Sequence, residues 1–263
     1  MNEVEKIDSI EHETGAIYDH LFTAYSDKLF DESVELFFKR HKMWNIDLDW
    51  FRDKVCLDAG CGGGRFVVAL SRLGAKKVYG VDISKDAVRV ARGRVAERGF
   101  ADRTEIKNAS VLEIPLEDNS VDYVVCSGVI LLSPEPYKAF LELNRVLKSG
   151  GKMFLSVYGK GGLKWLANDL FRYTICKIIP FGAMEKIWQF AGVPANKRYN
   201  MLDNLYTPLT KRFTEKEIRQ WFTDNGYTDL RRVKFERYDY ETLGSRIVHG
   251  EGWIQIYADK IIR

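Results

Sequence analysis

Apolar side chains recur at helical spacing through the first fifty or so residues, with Leu29, Phe30, Val34, Phe37 and Phe38 marking the pattern. This predicts helices ahead of the main fold. From Lys54 onward the period changes. Short apolar runs, Val55-Cys56-Leu57, Val78–Val81, Val121–Cys126 and Met153–Tyr158, alternate with amphipathic stretches near 64–73, 84–97 and 135–147. Unbroken apolar runs of this length predict strands covered on both faces, and their alternation with helices predicts a parallel sheet between helical layers. Lys148-Ser149-Gly150-Gly151 is expected to stop the third helix and turn the chain into the next strand.

The alternation stops at residues 159–212, an aromatic stretch punctuated by Pro180, Pro194 and Pro208. It resumes with Thr214-Glu215-Lys216-Glu217, where Thr214 reads as an N-cap and Glu217 as its capping-box partner, opening a helix that ends near Asn225-Gly226. Two strand candidates close the chain, Asp229–Arg237 and Trp253–Asp259, as an antiparallel pair at the sheet edge. The pattern divides one domain into four parts: a helical cap (1–50), a core (51–158), a lid insertion (159–212), and a C-terminal helix with edge strands (213–263).

Composition changes this picture little. A length of 263 residues with 46% hydrophobic and 29% charged suits one globular domain, and a net charge of +3 does not point to nucleic acid. Cys56, Cys61, Cys126 and Cys176 lack paired metal-ligand spacing, and His12, His20, His41 and His249 form no cluster, so no metal is expected. The charged N-terminus has no signal-peptide pattern, and no apolar run suits a bilayer span, so a reduced, cytoplasmic setting is expected.

Chemistry enters at Asp58-Ala59-Gly60-Cys61-Gly62-Gly63-Gly64, between a strand and a helix. Glycines there let backbone approach a ligand, and the following helix offers free N–H groups. A dinucleotide fingerprint would need a third glycine where Arg65 stands, and no Gly-Lys-Ser/Thr follows for a phosphate loop. Asp82, at the end of the second strand, is placed to accept from two ribose hydroxyls, while Ser84 suits the cap of the next helix.

Asp58–Gly64, Gly80–Ser84, Ile114–Asp122 and Arg145–Gly151 together resemble the class I S-adenosylmethionine-dependent methyltransferases, over roughly residues 50–158. The resemblance implies a doubly wound, mostly parallel seven-stranded sheet of order 3-2-1-4-5-7-6. It also implies S-adenosyl-L-methionine as cofactor, released as S-adenosyl-L-homocysteine. By position, Asp58, Ala59, Gly60, Cys61, Gly62 and Gly64 would face the methionine part, Asp82 and Ile83 the ribose, and Ser110 and Val111 the adenine; Ser127 follows the fourth strand. Many relatives carry an acid where this chain has Ser110, and a serine accepts without charge assistance. Asp122 reads as structural and Cys61 as a loop side chain.

The acceptor has no such signature. Leu131-Leu132 stand where relatives often carry His-His, and neither an Asn/Asp-Pro-Pro-aromatic motif nor a Pro-Cys nucleophile is present. Residues 159–212 hold nine bases (Lys160, Lys164, Arg172, Lys177, Lys186, Lys197, Arg198, Lys211, Arg212) against three acids (Asp169, Glu185, Asp203), interleaved with aromatics. This reads as a helical lid with a buried apolar face and a solvated basic face, or as one that closes over an apolar, anionic acceptor or touches a membrane. Tyr158, Asp203, Tyr206 and His249 are the candidates for acceptor contact or proton removal, and Tyr18 and Trp44 for covering the cofactor. The expected activity is methyl transfer to a small molecule, an apolar or anionic metabolite or lipid-like compound, first at oxygen, with nitrogen and carbon as the other acceptor atoms. The alternatives are a tRNA or protein acceptor, or a cofactor-binding protein without catalysis.

Overall fold

A computed structural model describes residues 3–23, 26–234 and 242–262. Its seven strands are β1 (Val55–Ala59), β2 (Lys77–Asp82), β3 (Thr104–Asn108), β4 (Val121–Ser127), β5 (Leu147–Tyr158), β6 (Tyr227–Arg232) and β7 (Trp253–Lys260). They form one sheet of order β3-β2-β1-β4-β5-β7-β6. The first five run parallel, and β7 enters antiparallel between β5 and β6.

Alternate residues of the central strands feed two cores, as the pleat dictates. Leu57, Val124 and Leu155 join Phe140 and Leu143 of α5 (Pro136–Val146) and Phe222 of α10 (Glu215–Asp224) on one face. Cys56, Val125 and Phe154 join the other face. There they meet Phe37 of α2 (Asp27–Met43), Val67 of α3 (Arg65–Arg72) and Val88 of α4 (Lys85–Glu97). Asp122 pins the sheet: it accepts from the Val55 N–H (2.8 Å) and from Lys148 Nζ (2.9 Å).

Thr214 and Glu217 form the expected capping box of α10, whose C-cap is Asn225. Three expectations need correction. Residues 148–151 are not a turn: β5 begins at Leu147 and bulges there, with Gly150 at φ +76°. The first tail strand runs Tyr227–Arg232, earlier than expected, and residues 235–237 of the expected span lie outside the described residues. The pattern also passed over β3, whose Thr-Glu-Ile-Lys-Asn is mostly polar because it is an edge strand paired only with β2.

The insertion folds as α6 (Leu163–Tyr173), α7 (Ile175–Ile178), α8 (Phe181–Phe190) and α9 (Ala195–Tyr206). It meets α1 (Glu3–Thr23) in a third, smaller core of Leu21, Met184, Tyr199 and Leu202. One further helix, α11 (Leu243–His249), precedes β7. Among the described residues no helix is long and apolar enough to cross a membrane.

Candidate active site

The carboxyl ends of β1 and β2 open into a cavity of about 230 Å³ roofed by α1 and α9. At its inner end the wall is chiefly a backbone loop. The Gly60 and Cys61 N–H groups both donate to the Val81 carbonyl (2.8 and 2.9 Å), and the Gly64 N–H donates to the Cys61 carbonyl (2.9 Å). Gly60, Gly62 and Gly64 have φ of +78°, +49° and +88°, where side chains are strained. A Cβ at Gly60 would sit 2.1 Å from a Val129 methyl, and one at Gly62 2.3 Å from the Phe22 ring. Gly60 is therefore required by both conformation and space, and Gly62 and Gly64 by conformation.

Asp82 ties this loop to the next strand. Its Oδ2 accepts from the Gly62 N–H (2.8 Å) and its Oδ1 from the Ser84 N–H (2.9 Å). Ser84, not Asp82, caps α4, accepting from the Ala87 N–H (2.9 Å). A carboxylate has about four acceptor positions, so two remain for a ligand. Burial raises the Asp82 pKa to about 6, against the lowering effect of those two N–H groups.

Of the expected cofactor residues, Gly60, Cys61, Asp82, Ile83, Val111 and Ser127 line the cavity. Asp58, Ala59, Gly62, Gly64 and Ser110 do not line it; Gly62 donates to Asp82 and Ser110 to Glu11, which do. Asp58 is 1% exposed, with one carboxylate oxygen unpartnered, and burial raises its pKa to about 8 despite Arg65 nearby. Burial likewise pushes the Cys61 thiol well up, which leaves it unsuited as a nucleophile.

The roof supplies what sequence reasoning missed. Glu11 of α1 lines the cavity and accepts from Ser110 Oγ (2.5 Å), so a carboxylate stands at the turn where Ser110 lacks one. Asp19 accepts from Ser84 Oγ and from the Asp86 N–H (2.9 Å), fixing α1 on the start of α4. Arg65 and Arg94 also line the cavity beside the glycine loop. Helical periodicity marks α1 as amphipathic but does not say which strand ends it will cross.

At the outer end stand Tyr158, Trp253, Tyr199, Asn200 and Asp203. The Tyr158 ring packs 5.0 Å from Trp165 and 4.9 Å from Trp253. Tyr18 of α1 donates its hydroxyl to Asp203 of α9. Burial raises the Asp203 pKa to about 6, opposed by the Tyr18 hydrogen bond and by Arg172. The structure thus brings Tyr158, Asp203 and Tyr18 together. It does not bring in Tyr206, which donates to the Ile179 carbonyl (2.6 Å) within the insertion, or His249, which ends α11. Neither lines the cavity. Trp44 stacks on Phe154 at 5.5 Å and donates to the Lys234 carbonyl (2.9 Å), away from the cofactor loop.

Known proteins share this sequence family and fold. A Methyltransferase domain family matches residues 57–155. The demethylmenaquinone methyltransferase of Geobacillus sp. (strain WCH70) is 30% identical over 203 residues, which is 73% of this chain and 80% of that protein. Magnesium protoporphyrin IX methyltransferase from Synechocystis PCC 6803, solved with bound SAH, superposes with a TM-score of 0.52. It is 17% identical, covering 99% of this chain and 88% of its own. A SAM-dependent methyltransferase from Methanosarcina mazei gives a TM-score of 0.52 at 22% identity, over 81% of this chain and 94% of its own. At such identities the solved structures speak to the fold alone.

Proposed function

Because the chain belongs to the class I S-adenosylmethionine-dependent methyltransferases, we propose that it methylates a hydroxyl oxygen of a small, apolar, lipid-like acceptor. The observation that carries this reading is the single cavity that runs from the glycine loop to an aromatic end holding one carboxylate, Asp203. The residues present fit the cofactor: the glycine cradle is one that a Cβ would fill, and Asp82 keeps unused acceptor capacity at its rim.

In this reading Asp82 holds the ribose hydroxyls, and Gly60, Cys61, Gly63 and Arg65 surround the methionine end. Ile83 and Val111 flank the adenine, and Glu11 supplies the charged acceptor that Ser110 lacks. When bound, S-adenosylmethionine supplies a methyl group already activated on a sulfonium. The protein's remaining tasks are alignment, which contributes on the order of 7–11 kcal/mol in well-oriented reactions, and removal of the hydroxyl proton. Tyr158 and Trp253 offer apolar surface to orient the acceptor. Asp203, with a pKa of about 6, is ionised at neutral pH and close enough to it to act as a base. Asp203 would take up the proton that the acceptor hydroxyl gives up, while the bound cofactor gives its methyl group and leaves as its thioether.

The relative from Geobacillus carries demethylmenaquinone in its name. That apolar quinone, whose missing methyl belongs on a ring carbon, is tried in reduced form as the carbon-acceptor arm, beside a series of hydroxylated aromatics as the oxygen-acceptor arm. Turnover is read as S-adenosylhomocysteine formed in step with a methylated product, with the methylated atom found by fragmentation. Methylation of carbon in place of oxygen overturns the hydroxyl assignment. Turnover on tRNA or protein, with none on apolar compounds, overturns the acceptor class.

A further inference from the structure

The insertion carries an outer surface that the fold leaves uncovered. α6 turns Trp165 inward against Tyr158 and turns Leu163, Leu166, Leu170 and Tyr173 outward, at 57%, 67%, 67% and 65% exposure. Positions i, i+3, i+7 and i+10 share one helical face. α6 is therefore apolar on two faces, one packed behind Tyr158 of the cavity wall and one toward solvent. α11 packs against it and exposes Leu243 and Ile247, one turn apart on their own helix. Scattered exposed leucines are ordinary, but two neighbouring helices with apolar stripes are not.

Charge is sorted the same way. The arginines of the insertion turn inward: Arg172 donates to the Thr207 carbonyl, Arg198 to the Val193 carbonyl, and Arg212 pairs with Asp169 at 2.5 and 2.6 Å. Lys211 follows them, donating to the Pro134 carbonyl. The expected solvated basic face thus keeps its lysines, Lys211 apart, but not its arginines. What remains exposed is lysine: Lys160 (paired with Glu217), Lys197, Lys164, Lys177 and Lys186, the last three each beside an exposed apolar residue in sequence. All three acids of the insertion are engaged elsewhere, Asp169 with Arg212, Glu185 with His20 (2.8 Å), and Asp203 with Tyr18. None is exposed.

We infer that the α6–α11 face docks on an anionic lipid bilayer, with the leucine stripe at the acyl boundary and Lys164 among the headgroups, the exposed lysines of α7 and α8 adding to the positive charge of the insertion. Charge complementarity selects this occupant. A second copy meeting the same face would set lysines against lysines with no carboxylate of the insertion to pair them. The docking deepens the proposed function, because it puts the wall of the cavity that bears Tyr158 beside the phase in which an apolar acceptor dissolves.

Co-sedimentation of the full chain with vesicles tests this without turnover. Vesicles of equal phosphatidylglycerol and phosphatidylcholine should bind at least about tenfold more protein at low salt than phosphatidylcholine alone. The double variant Leu166→Glu/Leu170→Glu should reduce binding by about tenfold or more, with melting temperature and S-adenosylmethionine affinity unchanged. Lys164→Glu should reduce it by about fivefold. Wild-type protein that stays in the supernatant overturns the inference, as does a double variant that sediments like wild type. So does a wild-type dimer, seen by light scattering, that the double variant splits. Vesicle binding without methylation of any apolar compound defeats the acceptor assignment and leaves the docking face standing.

Discussion

At its inner end the cavity is shaped chiefly by a backbone loop, and at its outer end by side chains. The inner wall comes from one loop: Gly60, Cys61 and Gly64 bond within a few positions and to Val81, and Asp82 closes the set by reaching Gly62. The outer wall is assembled from α1, β5, α9 and β7, and its central contact, Tyr18 to Asp203, joins residues 185 positions apart. A backbone-built wall tolerates almost no substitution, because the conformation itself excludes a Cβ. A side-chain wall can be exchanged residue by residue while its helices stay in place. The fold thus holds its donor fixed and leaves its acceptor free to differ among relatives.

The harshest way to break the inner wall is Gly60→Ala, which puts a methyl 2.1 Å from Val129 at φ +78°. S-adenosylmethionine affinity by calorimetry should fall by more than about 100-fold while the chain still melts cooperatively, since a strained site costs local geometry first. Unchanged affinity would refute the cradle. Breaking the outer wall should look different. Asp203→Asn should lower kcat by about 100-fold, the range of a lost general base, and leave cofactor affinity as it was. The wild-type rate should fall as pH drops through about 6, where Asp203 takes up its proton. The variant should lack that limb. If the limb persists in Asp203→Asn, the base lies elsewhere.

The same contrast explains what could be read from the chain. The glycine turn after β1, the place of Asp82 at the end of β2 and the Thr214–Glu217 box were legible because each depends on short spacing and backbone geometry, which periodicity and turn chemistry encode. β3 was not, since an edge strand needs only Ile106 inward and its other positions can be polar. Glu11 and Tyr18 were not assigned their roles because α1 meets its partners 99 and 185 positions away. Tyr206 and Asp203 sit on the same helix, yet only Asp203 faces the cavity. The sequence carries no mark that separates them, because the direction of α9 is set by packing against α1 and α8.

Glu11 sharpens the comparison, being a side chain of the roof that serves the inner end. Glu11→Gln keeps the shape and a hydrogen bond to Ser110 but removes the charge. Losing charge assistance from one hydrogen bond should raise the KM for S-adenosylmethionine by about five- to tenfold with kcat little changed. A drop in kcat alone would mean that Glu11 belongs to the acceptor end.

The smallest effect is a matter of stability and comes from Asp58, buried in β1 just ahead of the glycine loop. Its folded pKa, about 8, lies above the usual 3.8 because burial disfavours the charged form. The folded chain therefore keeps a proton that the unfolded chain releases, and stability falls as pH rises until that proton is lost near 8. His41 works in the opposite sense. Burial lowers its folded pKa to about 4, so it adds stability as pH rises toward 6.5 and nothing further above that. Asp82 and Asp203, near 6, have likewise largely finished their contribution by then. From pH 6.5 to 8 the slope belongs mainly to Asp58. Without cofactor, the wild-type melting temperature should fall by a few degrees across that window, at about 2–4 °C per kcal/mol for a chain of this size. Asp58→Asn, which matches the neutral acid in shape, should be flat there. Parallel curves would mean that Asp58 is ionised in the folded chain and that its unpartnered oxygen is neutralised by a charge, with Arg65 the nearest source.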